Sequence, residues 1–410
     1  MESSVLTRFL RYIQIDTQSK PEEKSIPSTK KQFDLAKLLG EELKEMGVVH
    51  VKVDDNAYVY GEIPGNIDKK VPVLGLIAHM DTSPAYSGNG VKPQIVKEYD
   101  GTDIVMNRET GLALKVSEYP DLLQYVGQDL ITTDGTTLLG ADDKAGVAEI
   151  MALTEYLCSH PEIPHGTIKV GFTPDEEVGR GADLFDVEGF QADVAYTVDG
   201  GSLGEIEYEN FNAAGAKVFI HGSSIHTGSA KGKMKNAVLM AMEFQAMLPV
   251  FENPMYTEGY EGFFHLNNLN GDVEYAVMDY IIRDHDMEKF QEKKTYILNV
   301  ADYLNKKYGD GSIELKLWDS YYNMKEKIEP HKYLIEIARK AMDDVGVEPI
   351  ICPIRGGTDG ARLSFKGLPC PNLCTGGHNY HGKYEFISVQ SMEKIVEILY
   401  NIARRFAEQM

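Results

Sequence analysis

Basic residues are in short supply: 41 lysines and arginines face 63 aspartates and glutamates, a formal charge of −22. Nucleic acid and anionic membrane surfaces would repel such a chain at long range, so neither is expected as a partner. Cysteine is scarce too. The four present, Cys158, Cys352, Cys370 and Cys374, include no C-x-x-C pair, and a reducing cytoplasm is the expected setting. Cys370 and Cys374 flank a short strand-like segment and could form half a metal site, although buried free thiols are the simpler account. No apolar run is long enough for a signal peptide or a membrane span. No internal repeat or low-complexity tract stands out, and a composition 43% hydrophobic and 25% charged gives no sign of disorder.

What is present reads as two domains, since 410 residues exceed the length over which one core keeps growing. The first half alternates helix and strand. Helices are expected over residues 3–15, 29–46 and 144–159, the second stopping at Gly47, where a left-handed cap is easiest. Strands are expected over 51–53, 58–63, 73–78, 167–172 and 194–198, and 73–78 (VLGLIA) is a continuous apolar run of the kind buried on both faces. This is the rhythm of an α/β sheet. Later the pattern changes to strands at 216–220, 273–282 and 313–317 with long helices at 235–248 and 287–308. Polar turns replace acidic strand ends there, so residues 209–321 are expected as an inserted domain between 1–208 and 322–410. Amphipathic helices over 331–345 and 389–408, around a strand at 350–354, resume the first domain. Residues 84–132 show few clear periods and are expected as an excursion at the sheet's edge.

Acidic and histidine clusters sit where the strands end. In GFTPDEEVGRG, residues 171–181, Asp175, Glu176 and Glu177 directly follow a strand. Three adjacent carboxylates beside an apolar strand repel one another and would raise their own pKa unless cations neutralise them. On extended backbone Glu176 and Glu177 point opposite ways, so one could grip metal while the other handles protons. A solvated acidic turn is the plain alternative. His79 follows the 73–78 strand with Asp81 two residues on, in HMDTS, a pairing in which a carboxylate can fix the orientation of a ligand histidine. A sheet-capping histidine beside an Asx turn would look the same. Asp142 and Asp143 in LLGADDKAG open a helix, where N-capping is a ready role, most of all for Asp143. Asp199 closes AYTVD ahead of Gly200 and Gly201, which leave room near the backbone. GGHNYHGKYEF places His378 and His381 in a Gly-rich loop before the last helix. Mixed histidine and carboxylate ligands suit zinc or another divalent first-row metal better than calcium. Taken together, the clusters fall at the carboxyl ends of successive strands, where open α/β proteins place their sites.

The strings HMDTSP, TTDGTTLLGADDKAG, FTPDEEVGRG, YTVDGG, RGGTDGARLS and TGGHNYHGKYEF, in that order from the first helix to the last, resemble the M20 family of co-catalytic zinc peptidases. Within it they resemble the enzymes that release the N-terminal residue of tripeptides. The resemblance implies an α/β fold, a catalytic domain with a mixed sheet flanked by helices (1–208 and 322–410), plus an inserted α+β lid or dimerisation-type domain (209–321). It implies His79, Asp142, Glu177, Asp199 and His381 as ligands of two divalent metal ions, Zn2+ foremost, with Asp142 shared between them. Asp81 would orient His79, and Glu176 would be the general base that takes a proton from the attacking water. His378 stays outside, since the match places the ligand immediately before Gly382.

For substrate, the resemblance implies a small peptide. His226 in SSIHTGSAKGKMKNA is similar to a lid histidine that helps stabilise the oxyanion of the tetrahedral intermediate, though Thr227 stands where related sequences often carry proline. Arg283 and Arg355, with Asn379 and Lys231 behind them, are expected at the substrate's carboxylate or backbone, because a guanidinium can hold a carboxylate by two bonds. Salt bridges are the other use for such residues. A homodimer through the inserted domain is compatible with the resemblance. A dipeptidase, carboxypeptidase or N-acyl amino acid deacylase of the same family would share the metal residues and differ in the lid. A catalytically silent binding protein is disfavoured because Glu176 and all the expected ligands occur together.

Overall fold

A computed structural model describes residues 2–408. The chain divides into two units: one takes the residues up to Tyr208, Glu326–Cys352 and the chain from Thr358 onward, the other Glu209–Lys325 with Pro353–Gly357.

The first unit is built on an eight-stranded sheet in the order Val49–Val53, Val59–Ile63, Ile168–Thr173, Leu74–His79, Val194–Gly200, Asn372–Cys374, Glu205–Glu207, Ile350–Ile351. The four strands from Ile168–Thr173 to Asn372–Cys374 run parallel, so their carboxyl ends share one edge of the sheet. All six residues of Leu74–His79 are buried, as its continuous apolar run requires. Helix Ala141–Ser159 packs on this strand, and helices Glu2–Tyr12 and Val389–Glu408 pack on that helix in turn. Gly146 lets it come so close: a Cβ there would lie 1.9 Å from the Val198 carbonyl oxygen. Ile77 and Ala195 pack in a second cluster with Phe185, Phe190 and Leu363. Helix Gln32–Glu45 stops where expected, at Gly47 with φ +86°.

Residues 84–132 do not extend the main sheet. Pro93–Val96 and Leu130–Thr133 instead join Phe386–Ser388 and Gly377–His378 in a separate antiparallel sheet, over a core that includes Tyr99, Met106, Leu114, Tyr125 and Phe386. Its strands are short and two come from the far end of the chain, so local periodicity could not show them. The consequence is positional: the Gly-rich segment after residue 376 is tied down on Leu130–Thr133.

The second unit is a four-stranded antiparallel sheet, Phe263–Gly271, Tyr275–Asp284, Asn212–His221, Ile313–Tyr321, packed with helices Ala237–Ala246 and Met287–Tyr308. Val218, Met278, Ile282, Phe244, Phe290 and Leu304 are among its buried core. It runs past residue 321 and takes back residues 353–357 because Asn210, fully buried, binds the Tyr322 carbonyl and the Met324 amide and bridges to Ile354. Among the described residues no helix is long and apolar enough to cross a membrane.

Candidate metal centre

Each predicted cluster of the first unit lies at the carboxyl end of one of the four parallel strands or at the start of the helix packed on them. His79 is the last residue of Leu74–His79, opposite Thr173, and Ile77 lies opposite Thr197, so the register carries His79 level with Asp199. Glu176 and Glu177 follow Ile168–Thr173, and His381 follows Asn372–Cys374. Asp142 enters from the start of helix Ala141–Ser159, where the backbone of Asp142 and Asp143 is not yet helical.

The side chains converge. His79 Nε2 stands 2.9 Å from Asp142 Oδ1 and 3.3 Å from Asp199 Oδ1. His381 Nε2 stands 2.9 Å from Asp142 Oδ2 and 3.0 Å from Glu177 Oε2. One carboxylate, Asp142, therefore spans two imidazoles. Donor atoms of His79, Glu176 and Asp199 lie within 4.8 Å of one another, as do those of His79, Asp142 and Glu177. Asp81 works behind them: its backbone oxygen is 3.0 Å from His79 Nδ1, turning Nε2 toward the cluster. Its carboxylate accepts the amides of Glu176 at 2.9 Å and Glu177 at 3.2 Å. His381 is half exposed and His79 is buried, so the site opens on the His381 side.

Electrostatics show what the cluster lacks. Burial opposes a charge on His79, yet Asp199, Asp142 and Asp81 outweigh it and hold the imidazole well above its usual range. Bonds to Asp142 and Glu177 push His381 up to about 11. Burial, reinforced by Asp142, pushes Glu177 up to about 7, and burial with Asp199 raises Glu176 well above the ordinary carboxylate range. Burial also raises Asp199. Asp142 differs, because the two histidines overcome its burial and hold it below the usual range. Among the described residues, the ion-pair partners of Asp142, Glu177 and Asp199 are histidines alone. Glu177 Oε1 is buried with no hydrogen-bond partner. An orphaned carboxylate oxygen, two imidazoles aimed at carboxylates and no fixed cation make a donor set that fits divalent metal, which would replace the protons on these groups.

The sequence pattern of Peptidase family M20/M25/M40 matches residues 134–405. The chain belongs to this peptidase family. It is 60% identical over 407 residues to Peptidase T of Alkaliphilus oremlandii (strain OhILAs), covering 99% of this chain and 100% of that one. Against Peptidase T of Caldanaerobacter subterraneus subsp. tengcongensis the identity is 57% over the same length and shares. A tripeptidase of Staphylococcus aureus has the same fold, with a TM-score of 0.80 at 23% identity over 100% of this chain and 99% of that one. So has the Bacillus subtilis YXEP protein, described as a dinuclear metal binding peptidase from M20 family, with a TM-score of 0.67 at 14% identity over 100% of both chains.

Several residues of this M20 peptidase matter in ways that sequence reasoning missed. Asp175 stood with Glu176 and Glu177 as one acidic run, but its backbone is left-handed (φ +59°) and its buried carboxylate turns away. It accepts bonds from Ser28 N at 2.6 Å and Gln32 Nε2 at 2.8 Å, anchoring the loop that holds the two glutamates. Asp143 takes the capping role expected of it, through Gly146 N at 3.2 Å, but it also accepts the His79 amide at 3.0 Å, which the sequence did not show. Asp359, inside RGGTDGARLS, is buried against Thr173 Oγ1 at 2.8 Å, and burial pushes its carboxyl up to about 7. Glu385 binds backbone amides of the Asp142 loop.

The expected substrate residues divide between the units. Asn379 is in the first, with left-handed backbone (φ +57°), and its amide donates to the Tyr384 carbonyl at 3.1 Å, closing the turn around His381. His226, Lys231, Arg283 and Arg355 are in the second unit. His226 Nδ1 accepts the Gly228 amide at 3.2 Å. Arg283 donates through Nη1 to the carbonyls of Ala214 and Ile282 and lies over the Tyr321 ring. Arg355 commits both terminal nitrogens to the loop of Thr257, Gly259 and Glu261. His378 is buried against Tyr125 and Phe386, and Cys370 and Cys374 are buried free thiols.

Proposed function

We propose that this M20 peptidase is a metal-dependent aminopeptidase that removes the N-terminal residue of tripeptides. The observation that carries the reading is the placement of Asp142 between His79 and His381, with Glu177 and Asp199 completing the ring and Glu176 beside it. Full-length likeness to proteins called Peptidase T supports it, as does the fold shared with a tripeptidase.

His79, Asp142, Glu177, Asp199 and His381 would hold two divalent ions, Zn2+ by donor type, which would supply an acidified water and polarise the scissile carbonyl. Glu176, held beside the ligands by the bond from its amide to Asp81, would take the proton of that water and pass it to the leaving amine. Asp81 keeps base and ligand in place by gripping both of their amides. His226 would be the donor for the developing oxyanion, the role that the resemblance gives it. Arg283 would bind the substrate carboxylate, and Arg355, whose terminal nitrogens hold the loop of Thr257 to Glu261, would act through that loop. Asn379 acts on the turn that carries His381.

The test is Glu176→Gln with metal counting, alongside a free tripeptide, its dipeptide and its N-acetyl form. The base assignment expects kcat to fall by about 10²–10⁴-fold while two ions stay bound. Loss of an ion would make Glu176 a ligand, and surviving activity would remove it from proton transfer. Cleavage of the N-acetyl form as fast as the free tripeptide would sink the aminopeptidase reading.

A further inference from the structure

One carboxylate collects the backbone donors of the loop that presents Asp142. Glu385, buried to 1% exposure, accepts from Leu139 N at 2.6 Å and Gly140 N at 2.9 Å through Oε2, and from Asp142 N at 3.1 Å through Oε1. Asp143 caps the helix itself through the Gly146 amide, while Glu385 satisfies the amides of the loop that leads into it. The same residue closes the turn around His381: its amide reaches the Gly382 carbonyl at 3.4 Å, and its own carbonyl receives Thr132 Oγ1 at 3.4 Å. Asp142 is therefore tied to Glu385 by the side chain, and the His381 turn by the main chain.

We propose that Glu385 is a positioning residue that sets the distance between Asp142 and His381, so that both can serve one pair of metal ions. The inference rests on the metal-dependent reading above. Its chemistry is specific to a carboxylate: an acceptor-only group can take three amides, whereas glutamine offers one acceptor oxygen and would turn an NH2 group toward an N–H donor. The loop would then have to shift to relieve a buried clash of donors, carrying Asp142 away from His381. A residue that merely filled space or capped a helix would cost stability and leave the metals unmoved.

The experiment titrates Zn2+ into chelator-stripped wild type, Glu385→Gln and Glu385→Asp by calorimetry, with kcat and KM on a tripeptide at saturating metal and melting curves in chelator. Wild type should bind two ions. In Glu385→Gln, affinity for at least one ion should fall by about 10–100-fold, and kcat should fall with it while KM holds within about twofold. Glu385→Asp keeps the acceptor-only chemistry and should show a smaller loss in the same direction, which carries the test if the glutamine variant does not fold. Unchanged affinities and kcat in the variants, or a lower melting temperature with metal binding intact, would overturn the assignment. A wild type that binds no metal would instead overturn the reading on which it rests.

Discussion

Enclosed carboxylates in the two units are handled in opposite ways. In the second unit Asp284, 2% exposed, meets Lys293 Nζ at 3.2 Å, and the same lysine holds Glu252. In the first unit Asp142, Glu177 and Asp199, with side chains 4–14% exposed, have histidines as their ion-pair partners among the described residues. A lysine near neutral pH is a permanent cation, and pairing with it makes a buried acid structural. An imidazole gives up its proton to make room for a metal, so acids paired with it stay available. The difference teaches that the partner, more than the burial, separates a site from a scaffold.

Glu177→Gln should sharpen this contrast most. Losing a ligand should cost more metal affinity than the roughly 10–100-fold typical of outer-shell partners, and peptidase activity with it. In chelator at pH 7.5 the same variant should melt above wild type, because it removes a carboxyl whose ionisation burial and Asp142 oppose. Melting curves with and without chelator check both halves, and a lower melting temperature in chelator would break the comparison. Lys293→Ala should behave in reverse: it strands Asp284 as a buried charge at a cost of about 3–5 kcal/mol, with metal stoichiometry unchanged. Denaturant unfolding and metal analysis would show it, and a loss of metal would deny the separation of roles.

The smallest effect is in the pH dependence of the metal-free protein. Glu177 and Asp359 are each raised to about 7, and burial is the leading cause for both. Their folded state binds more protons than the unfolded chain, so the stability they contribute is complete below their ordinary values and is lost as pH rises through 7. His381, raised to about 11, adds a loss of the same sign above its ordinary value of 6.5. Chelated protein should therefore lose melting temperature steadily from about pH 4.5 upward. Added Zn2+ should restore more at pH 8 than at pH 5, since fewer protons then compete for the ligands. Equal rescue at both values would contradict the arrangement of protonated ligands.

Strongly periodic stretches were readable in advance. Helices Met287–Tyr308 and Val389–Glu408 have the bounds that their amphipathic pattern predicts, and the apolar strand before His79 is buried throughout. Strand Phe263–Gly271 escaped notice because its second half is exposed, so no buried and exposed alternation marks it. Glu385 escaped for another reason: as a lone acid in KYEF it has no local pattern, and Leu139, Gly140 and Asp142 lie far away in the chain. Arg355, promising in RGGTDG, proved to be occupied by the loop of Thr257 to Glu261, which no spacing could foretell.

From its own order of residues the chain determined that apolar strands would end in acids and histidines, because strand periodicity and side-chain chemistry are local properties. Only the tertiary structure decided that Asp142 spans two histidines, that Asp175 turns away as an anchor and that Glu385 grips a distant loop. A carboxylate is a ligand, base, cap or anchor according to the donors and charges within a few ångströms of it, and those neighbours come from segments that only folding brings together.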